Sequence, residues 1–90
     1  MLPLLWHPEA LEDLRTIIDF IEARNPAAAR RIGDAIRSTA DQLPAHPYAY
    51  RPGRVPGTRK AVVHPNYILI YRVAGIIEVL AVFHARQLYP

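Results

Sequence analysis

The hydrophobic residues of the N-terminal part recur with a helical period. Ala10, Leu14, Ile17, Ile18 and Ile21 follow the i, i+4, i+7, i+8, i+11 spacing, which gathers apolar side chains on one side of a helix. A proline stands at position 8 and suits a first helical turn. The pattern therefore predicts a helix from about residue 8, with one apolar stripe.

A second helix is predicted from residue 26 to about residue 43. Asn25 is a suitable N-cap, and Pro26 fits the first turn. Because the connection between the helices is so short, we expect an antiparallel helical hairpin. The predicted buried stripe of the second helix consists of Ala28, Ile32, Ala35, Ile36, Thr39 and Leu43.

The C-terminal third changes to short apolar runs, at about 59–64, 67–73 and 76–83. Pro65-Asn66 and Ala74-Gly75 separate the runs, and both pairs suit tight turns between antiparallel strands. We therefore predict a three-stranded meander.

Two further segments flank the predicted helices. Residues 2–6 resemble a short strand, and Pro3 within it favours an edge position. Residues 44–58 contain four prolines and two glycines, so we expect a loop in which only an edge strand could form.

These elements predict an α+β fold: an N-terminal edge strand and an antiparallel helical hairpin packed on a three- to four-stranded antiparallel sheet, in one domain of residues 1–90. Alternation makes both faces of the sheet apolar. In the middle strand, Ile68 and Ile70 oppose Tyr67, Leu69 and Tyr71. In the last strand, one face holds Ile77, Val79, Ala81 and Phe83, and the other holds Ile76, Glu78, Leu80 and Val82.

Two helices cannot cover both faces of such a sheet, so we expect a partner to cover one of them. The alternative is that the loop of residues 44–58 and the chain ends cover it.

Composition excludes several classes of protein. There is no cysteine and no metal-ligand spacing, so we expect no disulfide, metal or cofactor. No run approaches the roughly 20 apolar residues of a membrane span, and the N-terminus has no signal-peptide pattern. We therefore expect a cytoplasmic protein.

The positive charge lies in the second half of the chain. Residues 1–45 carry five cations and seven carboxylates, a net charge of −2, whereas residues 46–90 carry six cations and one carboxylate, a net charge of +5. The second half should therefore face an acidic partner or a polyanion.

A cluster of His84, Arg86 and Tyr89 ends the last run. The meander is expected to return this cluster to Arg59 and Lys60 on the first strand. If the protein were a metal-free ribonuclease, His84 could act as acid or base, Tyr89 could stack on a base, and the cations could hold the phosphate. The alternatives are a structural His84 and arginines that contact a partner protein, so the protein need not be an enzyme.

The whole chain resembles the RelE/ParE superfamily, the toxins of type II toxin–antitoxin modules. The segments that carry the resemblance are WHPEALEDL at 6–14, NPAAARRI at 25–32, RPGRVPGTRK at 51–60, HPNYILIYRV at 64–73 and VLAVFHARQ at 79–87. The proline- and glycine-rich segment and the HARQ ending resemble ParE-like members more closely. The resemblance implies plasmid stabilisation and growth arrest.

It also implies a ParD-like antitoxin with an acidic amphipathic C-terminal segment, and DNA gyrase as the target. A RelE-like mRNA endoribonuclease that acts on the ribosome is the alternative, and a non-toxic interaction module is the third possibility. The residues expected to contact the target or the antitoxin are Arg54, Arg59, Lys60, Tyr67, Leu69, Tyr71, Leu80 and Arg86.

Overall fold

The computed structural model describes residues 1–86 and contains two helices and a five-stranded sheet. In chain order the elements are β1 (Leu4–Trp6), α1 (Pro8–Glu22), α2 (Pro26–Gln42), β2 (Arg51–Pro52), β3 (Thr58–His64), β4 (Tyr67–Val73) and β5 (Ile77–His84). The spatial order is β1-β5-β4-β3-β2. Only β1 is parallel to its neighbour.

This architecture confirms the predicted α+β fold, with β1 as an edge strand. The sheet has five strands rather than three or four, because the proline-rich loop contributes the two-residue strand β2 at the other edge. That position suits Pro52, since an edge strand does not require every backbone N–H to donate within the sheet.

The helical hairpin is stabilised locally by its caps and by a close approach of its helices. The Asn25 side chain accepts a hydrogen bond from Ala28 N at 3.1 Å, as predicted for an N-cap. A Cβ atom at Gly33 would lie 2.9 Å from Ile18 Cδ1. Gly33 therefore lets α2 approach α1 at the point where a larger residue would force Ile18 to move.

The hydrophobic core lies between the hairpin and one face of the sheet. Helix α1 packs on β5, and α2 packs on β3. The core residues are Ala10, Leu14, Ile36, Ala40, Leu43, Ala61, Leu69, Tyr71, Ile77, Val79 and Val82. Neither helix of residues 1–86 combines the length and the hydropathy that a bilayer span requires.

A bulge in β5 changes which of its residues enter the core. Tyr71 pairs with Val79, but Ile70 pairs with Ala81, so Leu80 is an extra residue. One inserted residue reverses the alternation beyond it. Val82 is therefore buried in the core, and the prediction that Ala81 and Phe83 share a face with Ile77 and Val79 was wrong.

Beside the bulge, an acidic side chain of α1 accepts a hydrogen bond from the backbone of β5. β1 pairs with β5 only as far as Val79, so no strand of residues 1–86 lies beside the edge of β5 beyond that point. Asp13 Oδ2 accepts a hydrogen bond from Val82 N at 3.1 Å. A partly buried N–H group that would otherwise lack a partner is thereby satisfied.

Asp13→Ala should lower the free energy of unfolding by about 1–3 kcal/mol, because it leaves the Val82 N–H without an acceptor. Urea unfolding followed by circular dichroism measures this loss. Glu12→Ala is the matched control: the Glu12 side chain is 68% exposed, and its removal should change stability by less than about 0.5 kcal/mol. Equal losses in the two variants would contradict the role assigned to Asp13.

Candidate protein-binding face

The face of the sheet opposite the helices is largely apolar, and we call it the open face. Cross-strand pairing places its residues together, since directly paired residues share a face. Leu80 also lies on this face, because it directly follows the buried Val79 in the alternation of the strand. The open face consists of Val62 on β3, Ile68 and Ile70 on β4, and Leu80, Ala81 and Phe83 on β5.

The open face is accessible along its rim and closed at its centre. Val62 is 57% exposed, whereas Ile70 is fully buried. Ile68, Leu80 and Phe83 are half-buried. The predicted uncovered apolar face therefore exists, but its accessible part is a band of partly exposed side chains around Ile70.

Three residues predicted to contact a partner lie elsewhere. Leu69 and Tyr71 are fully buried in the core beneath the helices, so they offer no surface and that interpretation was wrong. Tyr67 is also buried, and its ring meets the His84 ring edge-on with centroids 5.2 Å apart. Of the three, only Tyr67 lies near a residue with a candidate catalytic role, namely His84.

Arg59 and Tyr71 fix the proline-rich loop to the sheet. Arg59 Nη1 donates to Tyr50 O at 2.6 Å, and its guanidinium lies 4.8 Å from the centre of the Tyr48 ring. The Tyr71 hydroxyl donates to Pro47 O at 2.7 Å. Burial raises the pKa of Tyr71, although the charge of Arg59 opposes that shift. Arg59 is thus engaged with its own chain.

The structure does not bring His84 to Arg59 and Lys60. His84 pairs with Tyr67, and Arg59 pairs with Tyr71, four residues further along β4. At about 3.3 Å per residue this is a separation of roughly 13 Å. The predicted cluster was wrong. The third strand of a meander ends beside the end of the first strand, whereas Arg59 and Lys60 lie near the beginning of the first strand, β3.

His64, rather than Arg59, is the β3 residue near His84. The His64 and Tyr67 ring centroids are 6.0 Å apart, and Tyr67 lies between the two histidines. Arg86 follows this cluster, with its backbone N–H donating to His84 Nδ1 at 3.1 Å. Sequence reasoning missed His64, although the two-residue turn Pro65-Asn66 would have indicated its pairing with Tyr67. Tyr89 lies outside the described residues.

The other predicted contact residues lie around the open face or on the loop. Lys60 pairs with Arg51 across β3 and β2, so both side chains lie on the open-face side. Arg54 lies exposed on the loop, and Arg86 is exposed after β5. The accessible apolar band is therefore bordered by cations at the β2 edge.

Glu78 holds an ion-pair network on the open-face side of the sheet, near the start of β5. Arg72 Nε donates to Glu78 Oε2 at 3.0 Å, and the Arg72 Nη2 atom contacts the same oxygen. The hydrogen bond from Arg72 holds the pKa of Glu78 below its usual value. His7 Nε2 lies 3.7 Å from this carboxylate and pairs with it only when protonated.

No candidate metal centre is present among residues 1–86, since no three histidine or carboxylate side chains come together there.

Comparison with known proteins agrees with this geometry. Residues 4–89 match the family described as the ParE toxin of the type II toxin–antitoxin system parDE. Protein Y4kP of Sinorhizobium fredii is 38% identical over 86 residues, covering 94% of this chain and 90% of that protein. Toxin RelE2 of Caulobacter vibrioides is 34% identical over 89 residues, covering 98% and 100%.

Solved structures share the fold. A chain of the chromosomal ParDE toxin–antitoxin system from P. aeruginosa superposes with a TM-score of 0.82 at 27% identity, over 93% of this chain and 96% of that one. The YoeB/ParE toxin from Agrobacterium tumefaciens has a TM-score of 0.68 at 19% identity, over 92% and 98%, and shows the fold alone. The two helices on a mostly antiparallel sheet thus define a type II toxin fold. The chain belongs to the ParE toxin family of the RelE/ParE superfamily.

The Arg72–Glu78 contact predicts acid-dependent stability. Because the folded pKa of Glu78 lies below its usual 4.5, the unfolded chain takes up the proton first as the pH falls. The contribution of Glu78 is fully present above about pH 4.5 and is lost as the pH falls through the lower folded pKa.

Glu78→Gln should therefore lose less stability than the wild type between pH 7 and pH 3, as measured by urea unfolding at each pH. Glu12→Gln, at an exposed carboxylate, should follow the wild-type curve. A Glu78→Gln curve parallel to the wild type would show that the contact does not depress this pKa.

Proposed function

We propose that this toxin acts by binding a protein target, DNA gyrase, and does not cleave mRNA. The observation that carries the proposal is the separation of His84 from Arg59 along β4. A ribonuclease needs its proton-transferring group and its phosphate-holding cations at one scissile phosphate, within hydrogen-bond reach. A gap of roughly 13 Å does not meet that requirement.

The open face also favours protein binding. Ile68, Ile70 and Ala81 lie on it next to Lys60. A phosphate placed there would lose its hydration without gaining charged partners. An apolar band bordered by cations instead suits a protein surface with its own apolar and acidic residues.

We further propose a cognate antitoxin that covers the open face. Its binding segment should be amphipathic, so that apolar side chains pack beside Ile68 and Phe83, and acidic, so that it complements the +5 charge of residues 46–90. The family assignment supports this proposal, because the family is described by its toxin–antitoxin system.

The second candidate is an mRNA endoribonuclease, which one observation favours. His64, Tyr67 and His84 meet at one end of the sheet, and an imidazole can act as a general acid or a general base. Arg86 follows immediately in sequence. In this alternative the reaction centre is the end of the sheet that carries His64 and His84, and Arg59 only stabilises the proline-rich loop.

Purified toxin should inhibit DNA supercoiling by gyrase and leave ribosome-bound mRNA intact. The variant with both His64→Ala and His84→Ala should keep its gyrase inhibition, because neither imidazole has a chemical role in the proposal. Supercoiling gels and primer extension on translated mRNA measure the two activities. His46→Ala, at an exposed loop histidine, is the matched control.

Cleaved mRNA that disappears in the double histidine variant but persists in His46→Ala would overturn the gyrase proposal and establish the nuclease. Intact mRNA together with unaffected supercoiling would remove both candidates.

A further inference from the structure

The outer edge of β3 is paired over only part of its length. β2 contains two residues, and they pair with Arg59 and Lys60 alone. In the described part of the chain, no strand continues along this edge beside residues 61–64. An unpaired strand edge is a template for the backbone of another polypeptide.

The free backbone groups of this edge belong to Val62. Gly53 N donates to Thr58 O at 2.7 Å, so the peptide groups of residue 58 point to the β2 side. Backbone groups in a strand point to alternate sides, so those of residues 60 and 62 point the same way. Val62 is also 57% exposed, so the described residues leave it accessible to a partner.

A cleft of about 450 Å³ lies at this point, lined by Ala49, Tyr50, Arg51, Lys60 and Val62. Arg51 and Lys60 are direct cross-strand partners, so their side chains lie next to each other. None of these five lining residues carries a carboxylate. The cleft therefore places the unpaired backbone edge of β3 next to two cationic side chains.

We propose that this edge binds an extended acidic segment of the partner protein as an added strand. Its backbone pairs with Val62, and one of its carboxylates lies between Arg51 and Lys60. The identification of that partner as the antitoxin rests on the proposed function. The proposal goes beyond it in naming the edge, the backbone mode of binding and the two cations.

Charge decides between the candidate occupants. A second copy of this chain, paired edge to edge, would bring Arg51 and Lys60 towards another set of cations, and like charges oppose such pairing. RNA would meet the cations but has no peptide backbone to pair with Val62. An acidic peptide satisfies both the charges and the strand edge.

Lys60 provides a direct readout, because it is the only lysine of the chain. The probe is a blocked nine-residue peptide of alternating valine and threonine with two glutamates on one face, and the matched peptide has glutamines instead. Acylation of Lys60 by an amine-reactive ester is followed by mass spectrometry, with the Met1 amine as internal reference. Hydrogen exchange reports on the Val62 amide.

The glutamate peptide should slow acylation of Lys60 relative to Met1 and slow exchange at Val62. The glutamine peptide should bind at least about tenfold more weakly, because it lacks the charge-assisted hydrogen bonds. Arg51→Glu should abolish the difference between the peptides. Arg24→Glu, a charge reversal on the helical hairpin, should preserve it, and unfolding curves confirm that both variants are folded.

Equal binding of the two peptides, or no slowing at Val62, would overturn the proposal. So would protection of Lys60 by single-stranded RNA but not by peptide, or by self-association at raised protein concentration. The outcome does not depend on the target: a toxin that leaves gyrase unaffected can still bind the peptide here, and a toxin that inhibits gyrase can fail to bind it.

Discussion

A helical hairpin covers one face of this sheet, while both faces are built from apolar residues. The covered face supplies the core, in which Tyr71, Leu69 and Val79 are fully buried beneath α1 and α2. Residues 1–86 contain only these two helices, and a domain of this size buries only about two-thirds of the surface of its unfolded chain. The open face is consequently a partly exposed apolar band, and a partner gains most where its rim is accessible.

Local signals in the sequence predicted most of the fold. The proline in the first turn of α1, the Asn25 cap and the short connection gave the hairpin, because each acts within a few residues of its own position. The two turns of the meander were equally local. The added strand β2 was harder to foresee, since its two residues form a strand only through pairing with β3.

Non-local features decided the parts that the sequence did not reveal. The bulge at Leu80 is defined by pairing with β4 and reverses the faces of the residues that follow it. Asp13 and Val82 are 69 residues apart in sequence and form a hydrogen bond only in the folded chain. Arg59 has the composition of a binding residue, but it stabilises the loop through Tyr50 and Tyr48. The candidate site shifted accordingly, from a basic cluster at one end to an apolar band with cations at the β3 edge.

The most direct test of one-sided burial compares two neighbouring residues of β4. Ile68 lies on the open face and Leu69 lies in the core, so the same substitution probes opposite faces at nearly one position. In the isolated chain, Ile68→Lys should keep a cooperative urea-unfolding transition, since a lysine at the rim can extend its charge into water. Leu69→Lys should have none, because its charge would be buried without a partner. An Ile68→Lys chain that unfolds as completely as Leu69→Lys would show that the chain itself closes the second face.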